Sequence, residues 1–96
     1  MKLRYTQRAR RHLDGIAQYL SERNPAAARM VGARISEAIG FLGHFPNIGH
    51  EGSLAGTREL VVPGLPYVVV HRIDADAVTI LGIYHGAQMR PGQEMP

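Results

Sequence analysis

The chain has 96 residues, 45% of them apolar, with no Cys and no Trp, so one domain fits while a two-domain enzyme, a disulfide scaffold and a cysteine-based zinc site are excluded. No apolar run approaches the ~18–20 residues that span a bilayer and the N-terminus lacks a signal-peptide core, so a soluble cytoplasmic protein with no membrane role is expected. The formal charge of +3 is uneven: residues 1–34 carry eight Lys+Arg against two acids (+6), and residues 35–96 carry three against six (−3).

Residues 2–6 alternate apolar and polar side chains, as a short strand does. Thr6 is a candidate N-cap for a helix from Gln7 to about Arg23, where Leu13, Ile16, Ala17 and Leu20 form one stripe. Asn24-Pro25 ends that helix and starts another, with Asn24 as N-cap and Pro25 in the first turn. The second stripe is Ala28, Val31, Ile35, Ala38, Leu42 and Phe45, so the two helices read as a hairpin with a near-antiparallel crossing. Residues 46–56 hold three Gly and one Pro and read as a loop. Three strands are expected after it, over 57–62, 67–73 and 77–85, with a tight turn at Asp74-Ala75-Asp76. From Gly86 onward the chain is polar and rich in Gly and Pro, and a loose tail is expected.

The order β-α-α-β-β-β predicts an α+β fold, with the helical hairpin packed on one face of a small, mainly antiparallel sheet. Residues 1–91 read as a single domain and 92–96 as a flexible tail. The pairing position of the first strand is left open.

Arg8, Arg10 and Arg11 place three cations in the first turn of a helix, at the positive end of its macrodipole, where acids are preferred. A local rule broken without local compensation points to a partner. Met30, Ile39 and Phe41 lie off the main stripe of the second helix and imply a second covered face. His44 and His50 flank the loop, but two His without a third ligand make a poor metal site, and neither metal nor cofactor is expected. His12 reads as a surface residue. A partly buried, hydrogen-bonded His is expected at His71, and Arg58 reads equally as a functional cation or as a structural residue that pairs with Glu59 or Asp74.

Four segments carry a resemblance: Phe45-Pro46-Asn47-Ile48-Gly49, Gly56-Thr57-Arg58-Glu59-Leu60-Val61-Val62, Pro66 to Ile73, and Val78 to Gln88. In this order they resemble the RelE/ParE superfamily of type II toxin–antitoxin toxins, over residues 2–91. The resemblance implies one of two activities. RelE-like members are ribosome-dependent mRNA endoribonucleases, and ParE-like members inhibit DNA gyrase by binding, with no hydrolytic centre. It also implies a cognate, ParD-like antitoxin whose C-terminal segment wraps the toxin in a hetero-oligomer, and operator DNA met only through that antitoxin.

RNA cleavage through the 2′-hydroxyl needs a base, an acid and a cation on the phosphate. The RelE-like aromatic-Arg pair opening the second meander strand is Tyr67-Val68 here, and the C-terminal Tyr of that branch matches Gly86. The ParE-like reading is therefore favoured, with no catalytic residues. Its target-binding candidates are Arg58, Arg72, His85, Gln88 and Arg90, and its antitoxin-binding candidates are Arg8, Arg10, Arg11, Met30, Ile39 and Phe41. The alternatives are an mRNA endoribonuclease using His85 with Arg58 and Arg72, and a degenerate, non-toxic antitoxin-binding member.

Overall fold

Two side chains set the helical hairpin. A computed structural model of the chain describes residues 1–88 and residue 90, so the expected tail at 92–96 lies outside the described residues. The strand β1 (Lys2–Tyr5) runs into α1 (Gln7–Arg23), where the Thr6 hydroxyl accepts from the Ala9 N–H at 3.0 Å. Asn24 then does two jobs. Its N–H donates to the Leu20 carbonyl at 2.7 Å and closes α1, while its Oδ1 accepts from the Ala27 N–H at 3.1 Å and caps α2 (Pro25–His44). Each cap satisfies backbone donors that helix geometry leaves open, worth about 1 kcal/mol apiece.

The remaining strands are β2 (His50–Glu51), β3 (Arg58–Val61), β4 (Tyr67–Ile73) and β5 (Ala77–His85). The sheet order is β1-β5-β4-β3-β2; β1 pairs parallel to β5 and the other pairings are antiparallel. The two-residue strand β2 corrects the expectation that 46–56 is loop throughout. Its side chains do not alternate in hydropathy, so nothing in the sequence announces it.

The core lies between α2 and the sheet. Val31, Ile35, Ala38, Ile39 and Leu42 of α2 meet Val69, Val78, Ile80 and Ile83 of the sheet, with Ala9 the one fully buried residue of α1. Phe45, expected in the stripe, caps α2 instead and is 56% exposed. The β4–β5 register steps between Val70 and His71, opposite Gly82 and Ile80, which leaves Leu81 as the bulged residue of β5.

Where β1 ends, α1 takes over the open edge of β5. The Thr6 N–H donates to the Ile80 carbonyl at 3.0 Å, the Thr6 hydroxyl donates to the Leu81 carbonyl at 3.1 Å, and the Ile83 N–H donates to Nδ1 of His12 at 3.1 Å. His12 is thus no idle surface residue. It substitutes for a missing strand and keeps the edge closed.

Candidate functional site

Alternation along β3 puts Leu60 toward the helices and Glu59 on the opposite face. The helix side carries an apolar groove of about 370 Å³ between α2 and β3, lined by Arg34, Ala38, Phe41, Ile48, Leu60 and Pro63 among others. Phe41 is 49% exposed there, and Met30 lies on the same helical stripe, at i, i+4, i+7 and i+11 with Arg34, Glu37 and Phe41. Strand β2 pairs only with Arg58 and Glu59, so the β3 edge at Leu60 and Val61 has no strand partner on that side among the described residues. Ile39 is a correction: at 2% exposure it belongs to the core, and a partner cannot reach it. Its position off the stripe reflects a wide buried face of α2, not a second one.

The helix-free face gathers a charged group that sequence reasoning missed. Glu59 is almost fully buried, and its Oε1 accepts from Nε of Arg90 at 2.9 Å and lies 3.4 Å from Nε2 of His50. These three residues are separated by 9 and 31 positions, so no local pattern reveals them. The described part of the expected loose tail, residues 86–88 and residue 90, is anchored instead. The Gly86 N–H donates to the Pro66 carbonyl at 2.6 Å, the His85 N–H donates to Oε1 of Gln88, also at 2.6 Å, and Arg90 is held on Glu59.

The structure does not bring His85, Arg58 and Arg72 together. His85 is paired with Tyr67 at one end of β4, its ring edge-on to the tyrosine at 5.8 Å. Arg72 lies five residues away along that strand, ~17 Å at strand rise, and its Nε donates to Asp74 at 2.9 Å. Arg58 does not pair with Glu59 or Asp74. Its Nη2 donates to the carbonyls of Asn47 at 2.7 Å and Gly49 at 3.0 Å and locks the loop after α2. What His85 does join is a cleft with Tyr67, Tyr84, Gln88 and Arg11. Among the described residues no group of three His, Cys, Asp or Glu has the arrangement of a metal site. No described helix is long and apolar enough to cross a membrane.

Two histidines are held below their ordinary pKa of 6.5. Burial depresses His71 first, with Arg58 adding to it, while the contact of its Nδ1 with the Val69 carbonyl pulls the other way. Burial also leads at His12, followed by the charges of Arg8 and Arg11. As pH falls through 6.5 the unfolded chain takes up protons at both sites before the folded chain does. Their contribution is therefore complete above pH 6.5 and is lost as pH falls through the folded pKa values. Asp74 acts in a separate, lower window. Its pKa is lowered from 3.8 by the Thr79 hydroxyl and then Arg72, and its contribution is lost as pH falls below 3.8. The urea midpoint should fall between pH 7.5 and 5.5, and a His12→Gln, His71→Gln variant should show lower stability with a flatter pH dependence. An unchanged slope in that variant would contradict the assignment.

A two-helix hairpin on a five-stranded sheet, with a lateral apolar groove beside it, defines a small α+β protein in which His85, Arg58 and Arg72 stay apart. The family model described as "ParE toxin of type II toxin-antitoxin system, parDE" matches residues 3–90. The chain is 41% identical over 90 residues to the putative toxin Y4kP of Sinorhizobium fredii, covering 94% of this chain and 93% of that protein. It is 31% identical over 85 residues to Toxin RelE1 of Caulobacter vibrioides, covering 86% and 90%. Its fold resembles the structure titled "Chromosomal ParDE TA system from P. aeruginosa", with a TM-score of 0.79, 24% identity and coverage of 88% of this chain and 95% of that one. The chain belongs to the ParE toxin family of type II toxin–antitoxin systems, within the RelE/ParE superfamily.

Proposed function

We propose that this toxin acts by binding DNA gyrase and is silenced by a ParD-like antitoxin. The observation that carries the reading is the dispersal of the cleavage candidates. Arg72 is paired with Asp74 at the far end of β4 from His85, and Arg58 is committed to two backbone carbonyls, so neither cation is placed for phosphate beside His85. Binding is the mode of action in this reading, with His85 and Gln88 as target contacts; Arg11, the cation that does share their cleft, comes from α1. Arg58 serves as a scaffold for the loop.

The antitoxin reading rests on the groove. An amphipathic helix laid against Phe41, Ile48 and Leu60, followed by an extended segment along the open edge at Leu60 and Val61, uses both unpartnered features. Arg8, Arg10 and Arg11 lie on α1 and do not line that groove.

One observation favours a second reading. His50, Glu59 and Arg90 place a base, a carboxylate and a cation on the helix-free face, the elements of RNA cleavage. Against it, the carboxylate is buried and already bonded to Arg90. Two assays separate the readings. Purified toxin in a gyrase supercoiling assay is expected to abolish supercoiling and leave mRNA intact in a translating extract read by primer extension. Cleavage at ribosome-positioned sites, lost on Glu59→Gln or His50→Ala, would replace the gyrase reading with the nuclease one.

A further inference from the structure

Two clefts flank α1 and share Arg11 and Tyr84. One, of about 410 Å³, is bounded by Gln7 and Arg8 on the helix and by Leu54 and Leu81 across from it. The other, of about 740 Å³, runs along the helix to Tyr19 and is bounded by Tyr67, His85 and Gln88. No Asp or Glu lines either one. Lys2, Arg4, Arg23, Arg72 and Arg90 each have a carboxylate partner. Arg8 and Arg11, like Arg10, Arg29, Arg34 and Arg58, have none among the described residues, and of these six only Arg8 and Arg11 line the clefts. Both also sit in the first turns of α1, where the helix dipole repels them. An anion placed there relieves both penalties.

The aromatic rings narrow the chemistry of that anion. Tyr19 is 57% exposed, and its ring is held by Arg23, whose guanidinium lies 3.7 Å from the ring centroid while Nη1 donates to the Tyr19 carbonyl at 2.9 Å. One face of the ring is covered and the other is available to stack. An acidic peptide would use the cations and leave the rings idle. Duplex DNA buries its base faces. A single strand offers phosphates and base faces together. From Arg8 to Tyr19 the helix rises ~17 Å, room for a few nucleotides.

We infer that this double cleft is a docking site for single-stranded nucleic acid, with phosphates on Arg8 and Arg11 and a base stacked on Tyr19. Backbone charge and stacking are common to DNA and RNA strands, so both bind. The site lies on the α1 side of the fold, away from the α2–β3 groove, and its larger cleft includes His85 and Gln88, the contacts proposed above for gyrase.

Fluorescence anisotropy of the full chain with labelled dT12, U12, a 12-base-pair duplex and a deca-glutamate peptide tests it. Both single strands should bind, more tightly than duplex or peptide. Affinity should fall about ten-fold from 50 to 200 mM salt, as expected for two to three phosphates. Arg8→Glu/Arg11→Glu should weaken binding at least ten-fold without lowering the melting temperature, since acids suit a first helical turn. Tyr19→Ala should weaken it about five-fold or more, the loss expected for one stacked base. Arg29→Glu, a charge reversal outside both clefts, should change it less than two-fold. No single-strand binding at 1 mM protein, equal or tighter binding of duplex or peptide, or equal losses in Arg29→Glu and the cleft variants would overturn the inference.

Discussion

Replacing Gly49 with Ala is expected to lower the melting temperature by about 15–25 °C. Gly49 has φ of +92°, in the region that L side chains avoid, and the added Cβ would collide with the backbone carbonyl oxygen of Glu59. It would also sit 3.3 Å from the Leu60 Cα, so no flexible side-chain end can give way. Relief requires β2 and β3 to separate. That in turn breaks the bond from Arg58 to the Gly49 carbonyl and loosens the loop that lies over buried His71. Backbone strain of this kind costs about 1–3 kcal/mol, and the lost contacts bring the total to roughly 3–4 kcal/mol. For a domain of this size each kcal/mol is worth about 4–8 °C. Gly56 provides the control. Its φ is +83°, but a Cβ there meets nothing within 4 Å, so Gly56→Ala should cost only about 1 kcal/mol. Thermal unfolding by circular dichroism compares the two. Equal losses would show that φ, and not the collision with β3, dominates.

Phe41→Glu is expected to weaken the complex with the cognate antitoxin by at least 30-fold while leaving the toxin folded. Phe41 is half exposed in the free chain and stacks only on exposed Phe45, with ring centroids 6.2 Å apart. Removing it therefore opens no core cavity. The new charge stands one turn from Glu37, and that repulsion costs only a few tenths of a kcal/mol. In the proposed complex the same position would be the aromatic anchor of the groove, and such anchors contribute about 2–4 kcal/mol. Isothermal titration of toxin with the antitoxin, beside a melting curve of each variant, reads both quantities. Retained affinity with an unchanged fold would move the antitoxin off this groove. Ile39→Glu should instead unfold the protein, because that side chain is core.

The two variants differ in how far they were legible. Phe41 was visible as an apolar residue off the main helical stripe, because helix periodicity is local and the surplus can be counted. The same count misassigned Ile39. Periodicity reports that a residue faces something apolar, but whether the cover is the protein's own sheet or a partner depends on where α2 lies over β4 and β5. Gly49 was legible only as loop punctuation. Its conformational role comes from the approach of β3, ten residues on in sequence.

The chain-order elements followed from short-range chemistry. Thr6 and Asn24-Pro25 place the helix boundaries because capping donors lie within three residues of their acceptors. The dense Val run at 68–70 and the turn after Asp74 place the last hairpin for the same reason. The uneven charge was also fully present in the sequence, as was the oddity of cations in the first turn of α1. Only the tertiary structure decided what those charges meet. It showed Arg58 bonded to loop carbonyls, Arg72 to Asp74, and Arg90 to a buried Glu59. It left Arg8 and Arg11 facing clefts without a carboxylate. It also made His12 the cap of a strand 71 residues away. Local patterns are set by the backbone periods of helix and strand, so sequence alone determines them. Long-range pairs depend on how a closed core brings distant edges together, and that geometry exists only once the sheet and the helices have packed.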